Sequence, residues 1–379
     1  MNNRTIYYIA IYANDERYCA LSAKLKIDGI IAELVEKGYQ VEMISLASTH
    51  GPKTCKKNYL KLKDFNLKLF TTLGRKNFLI QCLDYIYVRL QAFFYILKKI
   101  KHDDIVIVYH SLAYMQLVRM VKKIKNFNLI LELEELYGDV IQSPHIKKRE
   151  IKYAKVADSY IFPTELLKES IEVEKKPYVV IHGTYKNEEI RTKKVNDGLV
   201  RIVYAGTLDK RKGSLEAIRA AEFLDERYCI YILGSGTKEE LQLIKDCIEE
   251  MKHKTNATII YKGILYGEEY VKFIQGCDIG LCTQDPNADF TLTSFPSKIL
   301  SYLSNGLHVL CIDIEAIKTS KVAEVLNFYH EQSPQEIAKS IKGIKLDDTY
   351  DSRKFVEKLF CTSSEELDNL VKIMRKESV

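Results

Sequence analysis

The sequence predicts an α/β protein made of two Rossmann-like domains, each a doubly wound parallel sheet, that face one another across a cleft. Three observations carry this prediction. The chain has 379 residues, of which 46% are hydrophobic and 28% charged, a globular composition too long for one ordinary domain. Short apolar segments of strand length alternate with helical segments in both halves. One polar stretch, residues 185–198, interrupts that alternation.

The first half of the chain, residues 1–185, is predicted to form the N-terminal, acceptor-binding domain. A strand at 6–12 leads into a helix whose apolar residues recur at helical spacing and which stops at Gly38. Further strands are expected at 41–46, 105–109, 129–133, 159–162 and 178–181, and a further helix at 113–125. In such a parallel sheet, ligands bind at the carboxyl ends of the strands.

The second half resumes the same alternation after a linker at 186–199. The C-terminal, nucleotide-binding domain is expected to span 200–345. Its strands are predicted at 201–205, 229–233, 258–261, 279–282 and 308–312, and its helices from Ser214, from Lys238 and over 298–303. The tail, 346–379, is predicted to contain a helix at 351–377 that crosses back onto the N-terminal domain.

The most apolar stretch of the sequence is 78–97. Asp84 and Arg89 interrupt it, so a buried helix is a better prediction than a membrane span. The apolar start of the chain is too short to span a membrane and has no cleavage site of small residues. Nine cysteines without a Cys-x-x-Cys pair indicate reduced thiols and a cytoplasmic protein.

The net charge of +6 is unevenly distributed. Within residues 53–125 there are 16 lysines and arginines but only 4 aspartates and glutamates. Such a region is either a solvated basic face or a surface that attracts anionic lipid headgroups or a pyrophosphate-bearing acceptor. We expect contact with the inner face of the cell membrane. Nucleic acid is not expected, because no recognition motif accompanies the charge.

The first glycine-rich turn of the C-terminal domain leaves the strand at 201–205. Gly206 lets the backbone turn tightly, and the helix that follows Gly213 offers unpaired N–H groups to an anion. Lys210, Arg211 and Lys212 add three positive charges between them. The turn therefore predicts a site for a pyrophosphate, with a charged surface loop as the alternative.

Two further glycine turns follow the next strands, at 234–236 and at 261–267. Position 239 is a glutamate where a dinucleotide fingerprint requires glycine, which disfavours a dinucleotide site. The phosphate-binding loop of ATPases, G-x-x-x-x-G-K-[ST], is absent from the sequence. The backbone around Gly263 is placed where it could meet the edge of a base.

A fourth segment, 295–306, precedes the strand at 308–312. Pro296 suits the first position of a helix, so Ser297 and Lys298 are expected in its N-terminal turn, with their N–H groups facing the cleft.

The order of these motifs is more specific than any one of them. Between residues 204 and 306 the chain reads Tyr-Ala-Gly-Thr-Leu, Leu-Gly-Ser-Gly, Tyr-Lys-Gly, Cys-Asp-Ile-Gly-Leu and Phe-Pro-Ser-Lys-Ile-Leu-Ser-Tyr-Leu-Ser-Asn-Gly. This series resembles the donor domain of GT-B glycosyltransferases, most closely the family 4 enzymes of bacterial capsule, exopolysaccharide and O-antigen clusters. The resemblance is weaker over 1–185, where it rests on residues 131–137 and 157–162.

The resemblance implies where a nucleotide-sugar donor binds. Lys212 corresponds to the family's diphosphate-binding lysine, whereas Thr207 stands where an arginine is usual, a role that Arg211 or Lys210 would take over. The family's Glu-x7-Glu pair falls on Thr293 and Ser301, neither of which is acidic. The full set of expected donor-binding residues is Gly206, Thr207, Arg211, Lys212, Gly234, Ser235, Gly263, Ile264, Thr293, Phe295, Pro296, Ser297, Lys298 and Ser301.

The N-terminal half offers candidate catalytic residues at strand ends. His110 follows the strand at 105–109 and resembles the family histidine that faces the transferred sugar, although a lone histidine is often structural. Glu132, Glu134 and Glu135 follow the next strand, and alternation sends the first two to one face and Glu135 to the other. They form either a solvated acidic turn or a site that orients the acceptor hydroxyl. His110, Glu134 and Glu135 are the catalytic candidates.

The activity that the resemblance implies is transfer of a sugar from a nucleotide donor, expected to be a UDP-sugar, to a polyprenyl-diphosphate-linked or oligosaccharide acceptor, with retention of anomeric configuration. No Asp-x-Asp pair occurs, so no metal or other cofactor is expected. Two alternatives remain. A GT-B sugar-nucleotide epimerase would share the fold and the donor. A non-catalytic partner of another transferase would explain the missing acidic pair.

Overall fold

A computed structural model of the chain describes residues 5–49, 51–173, 175–347 and 350–376. The chain divides into two compact units. Unit 1 comprises Met1–Thr184 and Cys361–Val379, and unit 2 comprises Tyr185–Phe360. Each unit contains one mostly or wholly parallel sheet with helices between its strands, which confirms the predicted α/β class.

Unit 1 is built on an eight-stranded sheet in the order β3-β4-β2-β1-β5-β6-β7-β8. Its strands are β1 Thr5–Ala10, β2 Gln40–Ser45, β3 Asn58–Lys61, β4 Phe65–Leu69, β5 Ile105–Tyr109, β6 Asn128–Glu132, β7 Ser159–Phe162 and β8 Tyr178–Val180. Its helices are α1 Leu21–Glu36, α2 Phe78–Lys99, α3 Met115–Lys125, α4 Tyr137–Val140, α5 Pro144–Ala154 and α6 Glu165–Ser170.

The central strands of unit 1 follow from their apolar runs, whereas its edge does not. β1, β5, β6 and β7 are almost entirely buried, as continuous β-branched and aromatic segments predict for a parallel sheet covered on both faces. The hairpin of β3 and β4 is antiparallel and was not predicted. β3 is largely exposed and lies among lysines, so it carries no apolar run that sequence reasoning could detect.

The prediction that 78–97 forms a buried helix is only partly right. The segment is helical, and Asn77 caps it by accepting from the Ile80 N–H at 2.9 Å. Only one stripe of α2 is buried, and most of its large apolar side chains are exposed. Asp84 lies in the buried stripe, where its carboxylate accepts the Leu73 N–H at 2.6 Å. No helix among the described residues is long and apolar enough to cross a membrane.

Unit 2 is built on a six-stranded parallel sheet in the order β11-β10-β9-β12-β13-β14. Its strands are β9 Val200–Ala205, β10 Tyr228–Leu233, β11 Thr258–Gly263, β12 Ile279–Cys282, β13 His308–Ile312 and β14 Asn327–Tyr329. Its helices are α7 Ser214–Arg219, α8 Lys238–Met251, α9 Gly267–Gln275, α10 Lys298–Leu303, α11 Glu315–Lys318 and α12 Pro334–Gly343, with 3-10 turns at Lys210–Lys212, Ala220–Phe223, Asp289–Leu292 and Ala323–Val325.

Several element bounds in unit 2 coincide with local signals in the sequence. α8 begins at Lys238 because Thr237 and Glu240 form a reciprocal capping box. Gly280 lies against the ring of Tyr302, where any β-carbon would overlap the aromatic carbons. The Tyr302 hydroxyl accepts the Ala205 N–H at 2.7 Å, which fixes α10 against the end of β9.

The predicted linker at 186–199 belongs to unit 2 and is bound to it. The Gln275 side chain accepts the Arg191 N–H at 2.7 Å and donates to the Glu189 carbonyl at 2.8 Å. The Glu188 N–H donates to the Ser304 carbonyl at 3.2 Å. The polarity of the segment predicts a linker, and these hydrogen bonds fix it to α9 and to the end of α10.

The C-terminal helix, α13 Arg353–Arg375, is assigned partly to each unit, with the division between Phe360 and Cys361. Its later turns pack in unit 1 on α1 and the residues that follow it. Asp368 accepts the Tyr39 hydroxyl at 2.6 Å, and the Ser363 hydroxyl donates to Glu33 at 2.7 Å. The predicted helix at 351–377 extends beyond this range, and position 377 lies outside the described residues.

Candidate functional site

In unit 2, three glycine turns lie side by side at the carboxyl ends of β9, β10 and β11. The Gly206 N–H donates to the Leu233 carbonyl at 3.0 Å, and the Gly234 N–H donates to the Gly263 carbonyl at 2.8 Å. Gly234 has φ +140°, and a β-carbon there would overlap the Gly206 carbonyl oxygen. The close approach of these turns therefore requires glycine at position 234.

Lys298, the first residue of α10, extends toward the first of these turns. Its Nζ lies 3.3 Å from where a β-carbon on Gly206 would stand and 3.7 Å from the centroid of the Tyr204 ring. This Nζ is buried and has no hydrogen-bond partner among the described residues. Burial and the nearby Lys212 charge lower the pKa of Lys298 to about 8. A buried ammonium without a partner is the feature that most directly indicates an anionic ligand.

The other cations of the first turn have different surroundings. The Lys212 Nζ lies 3.7 Å from the centroid of the Phe290 ring. Arg211 is paired with Asp209, with 2.7 Å between guanidinium and carboxylate, and this guanidinium lowers the pKa of Asp209. A cavity of about 330 Å³ opens beside Asp209, Arg211 and Glu240. Arg211 thus shares its charge with a carboxylate, whereas Lys298 and Lys212 face aromatic rings.

Helix α10 has the predicted bounds, but Pro296 does not occupy the position predicted for it. The helix begins at Lys298 with Ser297 as its N-cap, so Pro296 precedes the helix instead of occupying its first position. The Ile299 N–H donates to the Pro296 carbonyl at 3.0 Å, which tightens the first turn. Lys298 is in that turn, as predicted, but it is its side chain that enters the site.

The remaining predicted donor residues are spread over exposed and buried positions. Thr207, Ser235 and Ile264 are exposed, and Ile264 follows the open turn at Gly263. Thr293 and Phe295 are buried.

Ser301 is half-buried, and its hydroxyl is hydrogen-bonded to the Tyr270 hydroxyl at 2.9 Å. The position that corresponds to the second glutamate of the family 4 pattern is thus hydrogen-bonded to a half-buried tyrosine.

In unit 1, His110 lies directly after β5 and is 1% exposed. Its Nε2 lies 2.7 Å from Oε1 of Glu150, and its ring stacks on Tyr137 with centroids 5.3 Å apart. The Tyr137 and Gly138 N–H groups donate to the two oxygens of Glu150 at 2.9 and 2.7 Å. Glu150 is therefore the acceptor and His110 Nε2 the donor, while Nδ1 is buried and has no hydrogen-bond partner among the described residues.

The acidic turn after β6 is largely buried, which argues against the solvated alternative. Glu132 accepts the Tyr8 hydroxyl, and burial together with the Glu134 charge raises the pKa of Glu132 well above its usual range. Glu134 pairs with Lys26 at 3.4 Å. Burial raises the pKa of Glu134, and Lys26 opposes that rise. Glu135 is half-buried at the end of the turn.

Comparison with solved structures identifies the fold. A trehalose-6-phosphate synthase from E. coli bound with UDP-2-fluoro glucose matches with 10% identity and a TM-score of 0.68, over 99% of both chains. The sucrose-phosphate synthase of Thermosynechococcus elongatus matches with 13% identity and a TM-score of 0.65, over 98% of this chain and 96% of that one.

The UDP-forming α,α-trehalose-phosphate synthase of Burkholderia xenovorans, in complex with glucose-6-phosphate, matches with 9% identity and a TM-score of 0.64, over 98% and 100%. The fold is GT-B. No model of a protein family matches the sequence, and no curated protein matches it.

Within this GT-B fold, several residues at the strand ends of the two units could not be identified from the sequence. Tyr8, Lys26 and Glu150 reach the strand ends of unit 1 from elements without a motif. Phe290 lies in a 3-10 turn that local patterning did not predict. Tyr204, by contrast, could have been identified from the sequence, because it is the first residue of the Tyr-Ala-Gly-Thr-Leu motif. Among the described residues, no group of three or more His, Cys, Asp or Glu side chains is arranged to hold a metal ion.

Proposed function

We propose that the protein is a glycosyltransferase that moves a sugar from a nucleoside-diphosphate donor to a glycan or lipid-linked acceptor. The observation that carries the proposal is the buried, unpartnered Nζ of Lys298 beside the glycine turn at Gly206. Desolvating an ammonium is costly unless a ligand supplies the missing charge. The diphosphate of a nucleotide sugar has that charge, and glycine turns let it approach the backbone closely.

The same cations would act in the chemical step. As the bond between sugar and diphosphate breaks, negative charge builds up on the leaving phosphate, and Lys298 and Lys212 would stabilise it from fixed positions. With a pKa of about 8, Lys298 is mainly charged at neutral pH. This electrostatic stabilisation is consistent with a transfer that requires no metal and retains anomeric configuration.

We assign uridine to the donor because structural relatives are UDP-forming synthases, one of them bound with UDP-2-fluoro glucose. For the acceptor, the family 4 resemblance and the basic region 53–125 favour a polyprenyl-diphosphate-linked or oligosaccharide acceptor in bacterial surface polysaccharide synthesis. In unit 1, His110, Glu134 and Glu135 would meet the sugar and the acceptor hydroxyl. The buried His110 Nδ1 can exchange a hydrogen bond with a hydroxyl, which both donates and accepts.

Thermal unfolding in the presence of UDP, GDP, TDP, CMP and NAD tests the donor site. We expect UDP to stabilise the protein, with about 2.7 kcal/mol at 100 times its Kd. Lys298→Ala should abolish the shift. Lys339→Ala is the control, because that lysine is exposed and pairs with Glu336 within its own helix. If no nucleotide shifts the wild type, the donor-site assignment is wrong.

Release of UDP from a panel of UDP-sugars, followed with and without a lipid-linked acceptor fraction, then distinguishes activity from binding. A glycosyltransferase releases UDP in an acceptor-dependent manner. Nucleotide binding without release would favour the non-catalytic partner. Interconversion of the sugar nucleotide without release would favour the epimerase.

A further inference from the structure

Helix α2 has two apolar faces, and only one of them is covered. Its buried stripe consists of Asp84, Val88, Ala92 and Ile96. A second stripe lies on the opposite side of the helix and is solvent-exposed: Leu79 is 72% exposed, Leu83 58%, Ile86 54%, Leu90 50% and Phe94 65%. The spacing of this second stripe, i, i+4, i+7, i+11 and i+15, places it on one line along the helix.

The exposed stripe is wider than single apolar side chains on an ordinary surface. Phe78, Tyr85 and Tyr87 are also more than 40% exposed and flank it. The one acidic residue of α2, Asp84, is buried and bonded to the Leu73 N–H, so the exposed face carries no negative charge. Contiguous apolar surface of this kind marks a binding site for a partner.

Charge indicates which partner fits. Exposed lysines lie at both ends of the helix, Lys76 before it and Lys98 and Lys101 at its end. The surrounding segment 53–125 carries 16 basic residues against 4 acidic ones. A second copy of the chain would bring two such basic segments together, which is unfavourable, whereas an anionic surface neutralises them.

We propose that α2 docks the protein on an anionic lipid bilayer, lying parallel to its surface. The leucines and Phe94 would enter the boundary between headgroups and acyl chains, and the flanking lysines would contact the headgroups. α2 has 22 residues, yet none of the described helices is apolar enough to cross a bilayer, so the helix lies on the membrane. This inference depends on α2 and the basic residues around it, and it holds whether or not the protein transfers a sugar.

Co-sedimentation of the full chain with vesicles tests the proposal. We expect binding to vesicles of equal parts phosphatidylcholine and phosphatidylglycerol, and little binding to phosphatidylcholine alone or at high salt. The double variant Leu83→Gln, Leu90→Gln should lose about tenfold or more of its partitioning. Leu243→Gln is the matched control, since Leu243 and Leu90 are both helical leucines with 50% exposure, and it should bind as the wild type does.

A second experiment locates the contact. The chain contains no tryptophan, so Leu83→Trp introduces a unique fluorophore in the stripe. Its emission should shift to the blue with anionic vesicles and be quenched by brominated lipids, while Ile190→Trp, at a position 68% exposed, should not respond. Equal responses at both positions, or unchanged binding of the double variant, would overturn the proposal. So would concentration-dependent dimers that the double variant abolishes, because the stripe would then bind a second copy.

Discussion

The polar clusters at the strand ends of the two units differ in how their charges are satisfied. In unit 1, Lys26 pairs with Glu134, and Glu150 accepts three hydrogen bonds, one of them from His110. In unit 2, the buried Lys298 ammonium has no hydrogen-bond partner among the described residues. One cluster is nearly complete by itself, whereas the other lacks an anion.

This difference separates the kinds of ligand that the two clusters fit. The strand-end cluster of unit 1 includes two buried atoms without a hydrogen-bond partner, Nδ1 of His110 and Oε1 of Glu132, and both belong to groups that exchange hydrogen bonds with neutral hydroxyls. At the strand ends of unit 2, the Lys298 ammonium is a cation and calls for negative charge. We therefore expect that removing a buried charged side chain destabilises the protein when the side chain is Glu150 in unit 1, and stabilises it when the side chain is Lys298 in unit 2.

The largest effect is expected for Glu150→Ala in unit 1. Glu150 is fully buried, and its loss leaves His110 Nε2 and the N–H groups of Tyr137 and Gly138 without their acceptor. We expect the free energy of unfolding to fall by about 3–5 kcal/mol, measured by urea denaturation followed by circular dichroism. Glu172→Ala is the control, because the side chain of Glu172 is 77% exposed and pairs with Lys155 at the surface, so it should change little. Equal effects of the two substitutions would show that the His110–Glu150 pair is not structurally integral.

The second effect has the opposite sign. Lys298→Met keeps most of the unbranched side chain and removes a desolvated charge, so the nucleotide-free protein should gain about 1–3 kcal/mol of stability while nucleotide affinity falls about 100-fold. The folded pKa of Lys298 is about 8 and its ordinary value is 10.5, so the unfolded chain binds the extra proton between these values. The gain should therefore be full below pH 8 and disappear toward pH 10.5, as measured by denaturation across that range. A destabilised Lys298→Met protein would show that Lys298 has a structural role.

The contrast between the units also shows which features the sequence could reveal. The bounds of β5, β7, β12, β13 and α10 agree with the sequence predictions, because apolar runs and glycine or proline signals are local. The glycine turns of unit 2 lie at the ends of consecutive strands, so their meeting follows from parallel topology. The identity and spacing of the glycine turns could therefore be predicted from the sequence alone.

The hydrogen-bond partner of His110, by contrast, could not be predicted from the sequence. Glu150 is 40 positions away on α5, and nothing about a glutamate in a lysine-rich helix marks it as buried. The exposed stripe of α2 could not be predicted either, because an apolar helix with one buried stripe and one exposed stripe has the composition of a core helix. Composition reports how apolar a segment is, whereas tertiary packing decides which of its faces is covered.

A third prediction concerns the pH dependence of the donor site. In the proposed donor site an anion would bind the protonated form of Lys298, and burial lowers the pKa of this lysine to about 8 in the free protein. Above pH 8, binding must be accompanied by proton uptake, so nucleotide affinity should fall by up to about tenfold per pH unit. Calorimetric titration with UDP between pH 6.5 and pH 9.5 measures the nucleotide affinity, which should change by about tenfold per pH unit above pH 8. Lys298→Arg, which stays charged over the range, should show a flat profile. A flat wild-type profile would contradict direct binding by Lys298.

The smallest effect is expected at Ser301, where the site is already satisfied by its own side chains. The hydroxyls of Ser301 and Tyr270 are 2.9 Å apart and both residues are half-buried, so Ser301→Ala and Tyr270→Phe each remove the same hydrogen bond. Each should cost about 1 kcal/mol of stability in urea denaturation. A hydroxyl can still accept a further hydrogen bond, so a donor hydroxyl bound by Ser301 would make Ser301→Ala lower nucleotide-sugar affinity a further few-fold relative to Tyr270→Phe. Equal affinities in the two variants would show that Ser301 positions α9 against α10 and does not take over the role of the family's second glutamate.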